Sequence, residues 1–220
     1  MTSIIRFDQV SVDAHHKTIL SDISFILMPG EKAVLCGKSG SGKSSVLRTL
    51  LGLHAIKSGT VFFREYPLTS KSVQHIRSCA AYIGQEPMLG AESVREALLL
   101  PFQFKAHRDY CPSERQLLEV LQRLRLPAGI LKQESNRISG GEKQRIALAR
   151  GLLLSKKLYL LDEVTSALDV ESKQAVFEVF NDPQLSVLSV AHDPDWMERC
   201  DKVFEVEAGR LTLVEQHGNN

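Results

Sequence analysis

Gly37-Lys38-Ser39-Gly40-Ser41-Gly42-Lys43-Ser44 is the stretch on which the reading of this chain turns. It fits the pattern G-x-x-x-x-G-K-[ST], and each position answers a demand of phosphate binding. Glycines at 37, 40 and 42 let the backbone turn its N–H groups inward, and the helix that follows adds the positive end of its dipole. Lys43 neutralises charge, and the Ser44 hydroxyl can ligate Mg2+. Lys38, Ser39, Ser41 and Ser45 are further candidate contacts to a nucleotide. Upstream, Ala33-Val34-Leu35-Cys36 reads as a buried strand. From Lys43 the pattern turns helical, with Val46, Leu47, Leu50 and Leu51 on one side until Gly52 offers a stop. A strand feeding a glycine loop feeding a helix still leaves kinases, GTPases, helicases and pumps open.

Further along, Leu158-Tyr159-Leu160-Leu161 is a continuous apolar run suited to a strand buried on both faces, and it ends in Asp162-Glu163. Carboxylates at the carboxyl end of such a strand stand where an open α/β sheet binds its ligands. Asp162 is expected to hold Mg2+ through water. Glu163 is expected to orient or deprotonate an attacking water, the positioning that phosphoryl transfer mainly requires. By itself the pair names no reaction, because an Asp and a Glu can merely close a strand.

Strands and helices alternate around these two features. Residues 4–7, 23–27, 59–63, 80–83 and 186–191 read as further strands, and 203–214 as a closing hairpin around Gly209. From about Ser93 to Arg150 the pattern is mostly helical. There Ser113 with Gln116 makes a capping box ahead of Leu117, Val120, Leu121 and Leu124, a stripe that Pro127 and Gly129 are expected to end. A helix after Asp169 is expected to bury Val176, Phe177, Val179 and Phe180. The alternation predicts an α/β core with a mostly parallel sheet. The expected organisation is one domain over residues 1–220, with 1–87 and 151–220 as core and about 88–150 as a helical subdomain.

Composition bounds the partners. The 220 residues are 43% hydrophobic and 24% charged, enough for a real core, which excludes disorder and collagen. The longest stretch without Asp, Glu, Lys or Arg is ten residues, 183–192, whereas a membrane-spanning helix takes roughly 20 apolar ones. The start, Met1-Thr2-Ser3-Ile4-Ile5-Arg6, lacks the marks of an export signal, so a cytoplasmic location is expected. Lys plus Arg (27) nearly balance Asp plus Glu (26), so no global field recruits nucleic acid. Cys36, Cys79, Cys111 and Cys200 lie far apart, which disfavours a zinc site or a disulfide framework.

Ile138-Ser139-Gly140-Gly141-Glu142-Lys143-Gln144-Arg145 narrows the field, since it resembles the signature sequence of ABC-type ATPases. Physically, Ser139 with Glu142 is also a capping box that starts a helix. Other positions resemble the rest of the family's set. Gln85 matches the Gln loop, Ser166-Ala167-Leu168-Asp169 the D-loop, and His192 the switch histidine near the γ-phosphate. The resemblance runs from about Val10 to Gly209. It implies a P-loop NTPase core with an N-terminal antiparallel β subdomain and an inserted helical subdomain. It also implies a head-to-tail homodimer in which Ser139, Gly140, Gly141 and Glu142 of one copy, with Asp169, face ATP held by Lys43 of the other. On this resemblance Glu163, His192, Gln85 and Lys43 are the catalytic set, and Ser44, Gln85 and Asp162 the Mg2+ ligands. Two departures stand out. Glu142 replaces the usual Gln, and Val12-Asp13-Ala14 lacks the aromatic that often stacks on adenine, leaving His15 or His16 as substitutes.

The expected function is therefore the ATP-hydrolysing subunit of an ABC transporter. It would be peripheral on the inner face of the cell membrane through a separate integral-membrane permease, which it meets near Gln85-Glu86-Pro87. Leu100-Pro101-Phe102-Gln103-Phe104 and residues 163–169 resemble small bacterial ATPases of metal, particularly iron, export. The alternatives are an ABC-type ATPase driving a soluble machine, opposed by the single cassette and the lack of sustained heptads, and a P-loop kinase for a small metabolite, opposed by the signature and His192.

Overall fold

The computed structural model describes residues 2–14, 17–107 and 109–216. β1 (Ile5–Ala14) pairs antiparallel with β2 (Lys17–Leu27) and turns Ile5, Phe7, Val10 and Val12 inward. Gln9 breaks the alternation with a left-handed φ of 49°, and the register shifts between Phe7 and Val10. A slipped period hides strand from a pattern of two. Both strands are accordingly longer than their periodicity indicates, and Val12-Asp13-Ala14 lies at the end of β1.

β3 (Lys32–Cys36) is buried almost throughout and leads through the glycine loop into α1 (Lys43–Leu50). This helix buries Val46, Leu47 and Leu50, and Gly52 just beyond it takes the left-handed φ of 66° that a stop needs. β4 (Ile56–Phe63) and β5 (Tyr66–Pro67) complete a four-stranded antiparallel sheet in the order β2-β1-β4-β5. α2 (Val73–Cys79) then precedes β6 (Ala80–Ile83).

The helical stretch holds α3 (Val94–Leu99), α4 (Glu114–Arg123) and α5 (Gly140–Leu153), joined in part by 3-10 turns. α4 ends sooner than its stripe suggests. Arg125 turns left-handed at φ 54°, so the helix is over before Pro127, and Gly129 lies inside the 3-10 turn Ala128–Lys132. The chain continues through β7 (Leu158–Asp162), α6 (Val170–Phe180), β8 (Ser186–Val190), α7 (Pro194–Met197), β9 (Lys202–Glu207) and β10 (Arg210–Gln216).

The second sheet runs β10-β9-β3-β8-β7-β6, parallel throughout except for β10. It is a mostly parallel α/β sheet with an antiparallel β sheet and a helical insert, the fold the sequence leads one to expect. Both faces of the parallel sheet are covered. Tyr159 and Leu161 pack in one core with α5 and α6, whereas Leu158 and Leu160 pack in the other with α1 and the antiparallel sheet. That double burial explains the unbroken apolar run of β7. Because β3, β7 and β8 are parallel neighbours, everything that follows their carboxyl ends converges on one edge of the molecule. The four cysteines form no disulfide.

Candidate nucleotide site

Gly37, Gly40 and Gly42 take φ of 122°, 77° and 109°, so the loop winds in a sense closed to most side chains. Space is as decisive as angle at two of them. A Cβ on Gly42 would stand 2.8 Å from the Ile19 carbonyl oxygen, and one on Gly37 would run into that of Val206. The hairpin β9–β10 thus backs the loop, and the Gly209 N–H at its turn donates to the Ser41 carbonyl at 3.0 Å. Lys43 is only 4% exposed, and its ammonium donates to the Gly37 and Lys38 carbonyls at 2.8 and 2.9 Å.

Asp162 is 2% exposed, and each carboxylate oxygen accepts from a hydroxyl: Oδ1 from Ser44 at 2.7 Å and Oδ2 from Tyr82 at 3.2 Å. A buried carboxylate with hydroxyl partners and a Ser side chain suits a hard, oxygen-seeking cation. Tyr82 was not foreseen from the sequence. Its hydroxyl is raised above the ordinary tyrosine range, first by burial and then by the negative charge of Asp162.

Glu163 follows with φ 51°, a left-handed value rare for a non-glycine residue. Its N–H donates to the Val190 carbonyl at 2.9 Å, so the ends of β7 and β8 stay together. Gln85 Nε2 donates to Glu163 Oε2 at 2.7 Å, and His192 Nε2 stands 3.9 Å from Oε1. The Gln85 segment is pinned to α5, where Gln144 donates to the Gly84 carbonyl at 3.3 Å and Arg150 to those of Leu89 and Met88.

Residues 39–45, Gln85, Glu163 and His192 share an open cleft of about 770 Å3, with Lys17, Thr18, Ile19, Ala208 and Gly209 on its outer wall; Gly37, Lys38, Tyr82 and Asp162 are not among its lining residues. The outer wall escaped the sequence reading because it comes from two chain segments far apart. Ala14 does not line the cleft, and His15 and His16 lie outside the described residues.

Ser139, Gly140, Gly141 and Glu142 are not among the lining residues of this cleft. Ser139 caps α5, accepting from the Glu142 N–H at 3.3 Å while Glu142 accepts from the Ser139 N–H at 3.0 Å and its hydroxyl at 2.7 Å. Those hydrogen bonds from Ser139 hold the Glu142 carboxyl below its usual range. Ser139 and Gly140 face solvent. Asp169 is likewise outside the cleft. It caps α6 through the Ser172 N–H and hydroxyl, which lower its pKa.

A phosphate cradle at the carboxyl ends of a parallel sheet, with an acidic pair closing the neighbouring strand, is the arrangement of a P-loop nucleotide hydrolase. The model of the ABC transporter family matches residues 20–166. The chain belongs to that family, as an ATP-binding subunit that hydrolyses ATP. It is 34% identical over 208 residues to the probable iron export ATP-binding protein FetA of Escherichia coli K12, covering 93% of this chain and 91% of that protein. Its fold superposes with a TM-score of 0.84 on an ATP-binding cassette solved as a dimer in a post-hydrolysis state with ADP and phosphate, 23% identical over 98% of this chain and 100% of that one. The TM-score is 0.81 with cbiO1 from Clostridium perfringens, part of an ABC transporter complex, 22% identical over 98% of this chain and 88% of that one.

Proposed function

We propose that two copies of this chain close head to tail around ATP and drive a separate integral-membrane permease, exporting a metal, with iron the leading candidate. The observation that carries the dimer is the separation of two anion-binding elements. The glycine loop lines the cleft, while the capped start of α5, with exposed Ser139 and Gly140, is not part of its lining. The N–H groups of Gly140 and Gly141, which the capping box does not use, would suit the phosphates of a neighbouring copy. The metal reading draws on the similarity to the E. coli protein, named for iron export, which this chain covers to 91% of its length. No helix among the described residues is long and apolar enough to cross a membrane. In the transporter reading the chain sits on the cytoplasmic side, held at the membrane by its permease. A net charge of +1 gives it no general pull on nucleic acid.

In this reading Lys43 leaves the loop carbonyls for the phosphates, and the N–H groups of residues 38–45 take up the remaining oxygens. Ser44, Asp162 and Gln85 would hold Mg2+, which shields the charge on the transferring phosphoryl group when bound. Glu163 orients and deprotonates the attacking water. His192 steadies the γ-phosphate, and Gln85 ties this centre to Glu86 and Pro87, the segment expected to meet the permease. Glu163→Gln keeps the size of the side chain and removes its basicity. It is expected to bind ATP with wild-type affinity, to lose at least about a hundredfold in turnover, and to accumulate as an ATP-bound dimer on gel filtration. Wild-type turnover in that variant would take the role from Glu163.

A further inference from the structure

Lys173, in the first turn of α6, places its ammonium 2.6 Å from Asp193 Oδ2. The Asp193 side chain is 10% exposed and that of Lys173 is 30% exposed, so water screens this pair far less than the exposed pairs on the surface. Asp193 directly follows His192, and its other oxygen accepts from the Asp195 N–H at 3.1 Å at the start of α7. Lys173 sits one turn beyond Asp169, whose carbonyl accepts its N–H at 2.9 Å. The connections close a ring. On the strand side the Glu163 N–H bonds the Val190 carbonyl, and on the helix side Lys173 bonds Asp193. Glu163 and His192 face each other inside it, beside a cavity of about 230 Å3 that Lys173 and Ser166 also line.

We propose that the Lys173–Asp193 ion pair is a positioning element of the catalytic centre, which ties the segment 166–169 to His192 and fixes the imidazole relative to Glu163. The inference rests on the roles given above to Glu163 and His192. A backbone bond alone fixes only the base of the two loops; the ion pair fixes the second point that prevents the His192 segment from swinging outward. Any shift of residues 166–169 is then carried through the first turn of α6 to Asp193. Neither partner lines the cleft of the glycine loop, so loss of the pair misplaces the histidine without weakening the cradle.

The test compares wild type with Lys173→Met, Asp193→Asn, the double variant and Lys173→Arg for steady-state ATP hydrolysis, ATP affinity by calorimetry and thermal melting. Asn keeps the oxygen that caps α7, so Asp193→Asn decides the matter even if Lys173→Met fails to fold. Each single variant is expected to lower kcat about tenfold, with ATP affinity and melting close to wild type. The double variant should be no slower than the slower single, and Lys173→Arg should recover most of the rate. Wild-type kcat in Asp193→Asn overturns the proposal, as does a double variant whose loss is the product of the two singles. A wild-type chain that neither binds nor hydrolyses ATP overturns instead the reading on which the proposal rests.

Discussion

Asp162 shows how much of a site depends on single atoms. Its two oxygens are divided between Ser44 and Tyr82, so its carboxylate plane is fixed from both sides. Tyr82→Phe removes one of these anchors and leaves the ring. A hydrogen bond to a charged carboxylate contributes about 1.5 kcal/mol or more, so the variant should need on the order of ten times more divalent cation for half-maximal hydrolysis. Mn2+ binding followed by electron paramagnetic resonance should weaken by the same factor. Unchanged cation affinity would show that Ser44 alone orients Asp162. At this scale the sequence announced Gly37, Gly40, Gly42, Lys43 and Ser44, because each answers a backbone or charge demand that only a few residue types meet. It said nothing of Tyr82. An aromatic in a four-residue strand reads as packing until the neighbouring strand shows which carboxylate its hydroxyl reaches.

Among the elements, α3, α4 and α5 begin where their caps say, and α4 ends where the backbone decides. Ser93, Ser113 and Ser139 each complete a capping box with the residue three positions on, and Ser113 and Ser139 are the two recognised from the pattern. Ser113→Ala leaves the start of α4 with an unsatisfied N–H and should cost about 1 kcal/mol, measured as a shift in the urea midpoint. ATP turnover should be unaffected, since α4 does not reach the cleft. A fall in turnover would mean that the helical stretch passes strain to the Gln85 segment. The close of α4 at Arg125 was not legible, because a left-handed arginine has no signature in sequence. β1 and β2 were half legible, since the break at Gln9 throws the apolar residues onto the other phase. The four-residue α7 is too short to display a period.

The whole molecule presents a cleft that its own signature helix leaves uncovered. Ser139→Arg places a bulky cation at an exposed helix start and should leave ATP binding to the isolated cleft within about twofold. In the dimer reading it should abolish ATP-dependent association and reduce hydrolysis to a few per cent or less, measured by light scattering and phosphate release. Unimpaired association would mean that the start of α5 faces something other than a second copy. Order along the chain made the motif set readable, but which motifs meet is a property of the folded sheet. Gln85, Glu163 and His192 come together because β6, β7 and β8 are adjacent and parallel.

The hairpin behind the glycine loop carries a temporal consequence. The Gly209 N–H holds the Ser41 carbonyl, and the Val206 carbonyl fills the space beside Gly37, so the loop takes its shape from residues far downstream of it in the chain. While the ribosome is still decoding residues upstream of 206, the octet is present but lacks the brace that sets its curvature. Competence to hold a triphosphate is thus acquired only after the β9–β10 hairpin has been made, and a chain that stops short of it carries the motif without the grip.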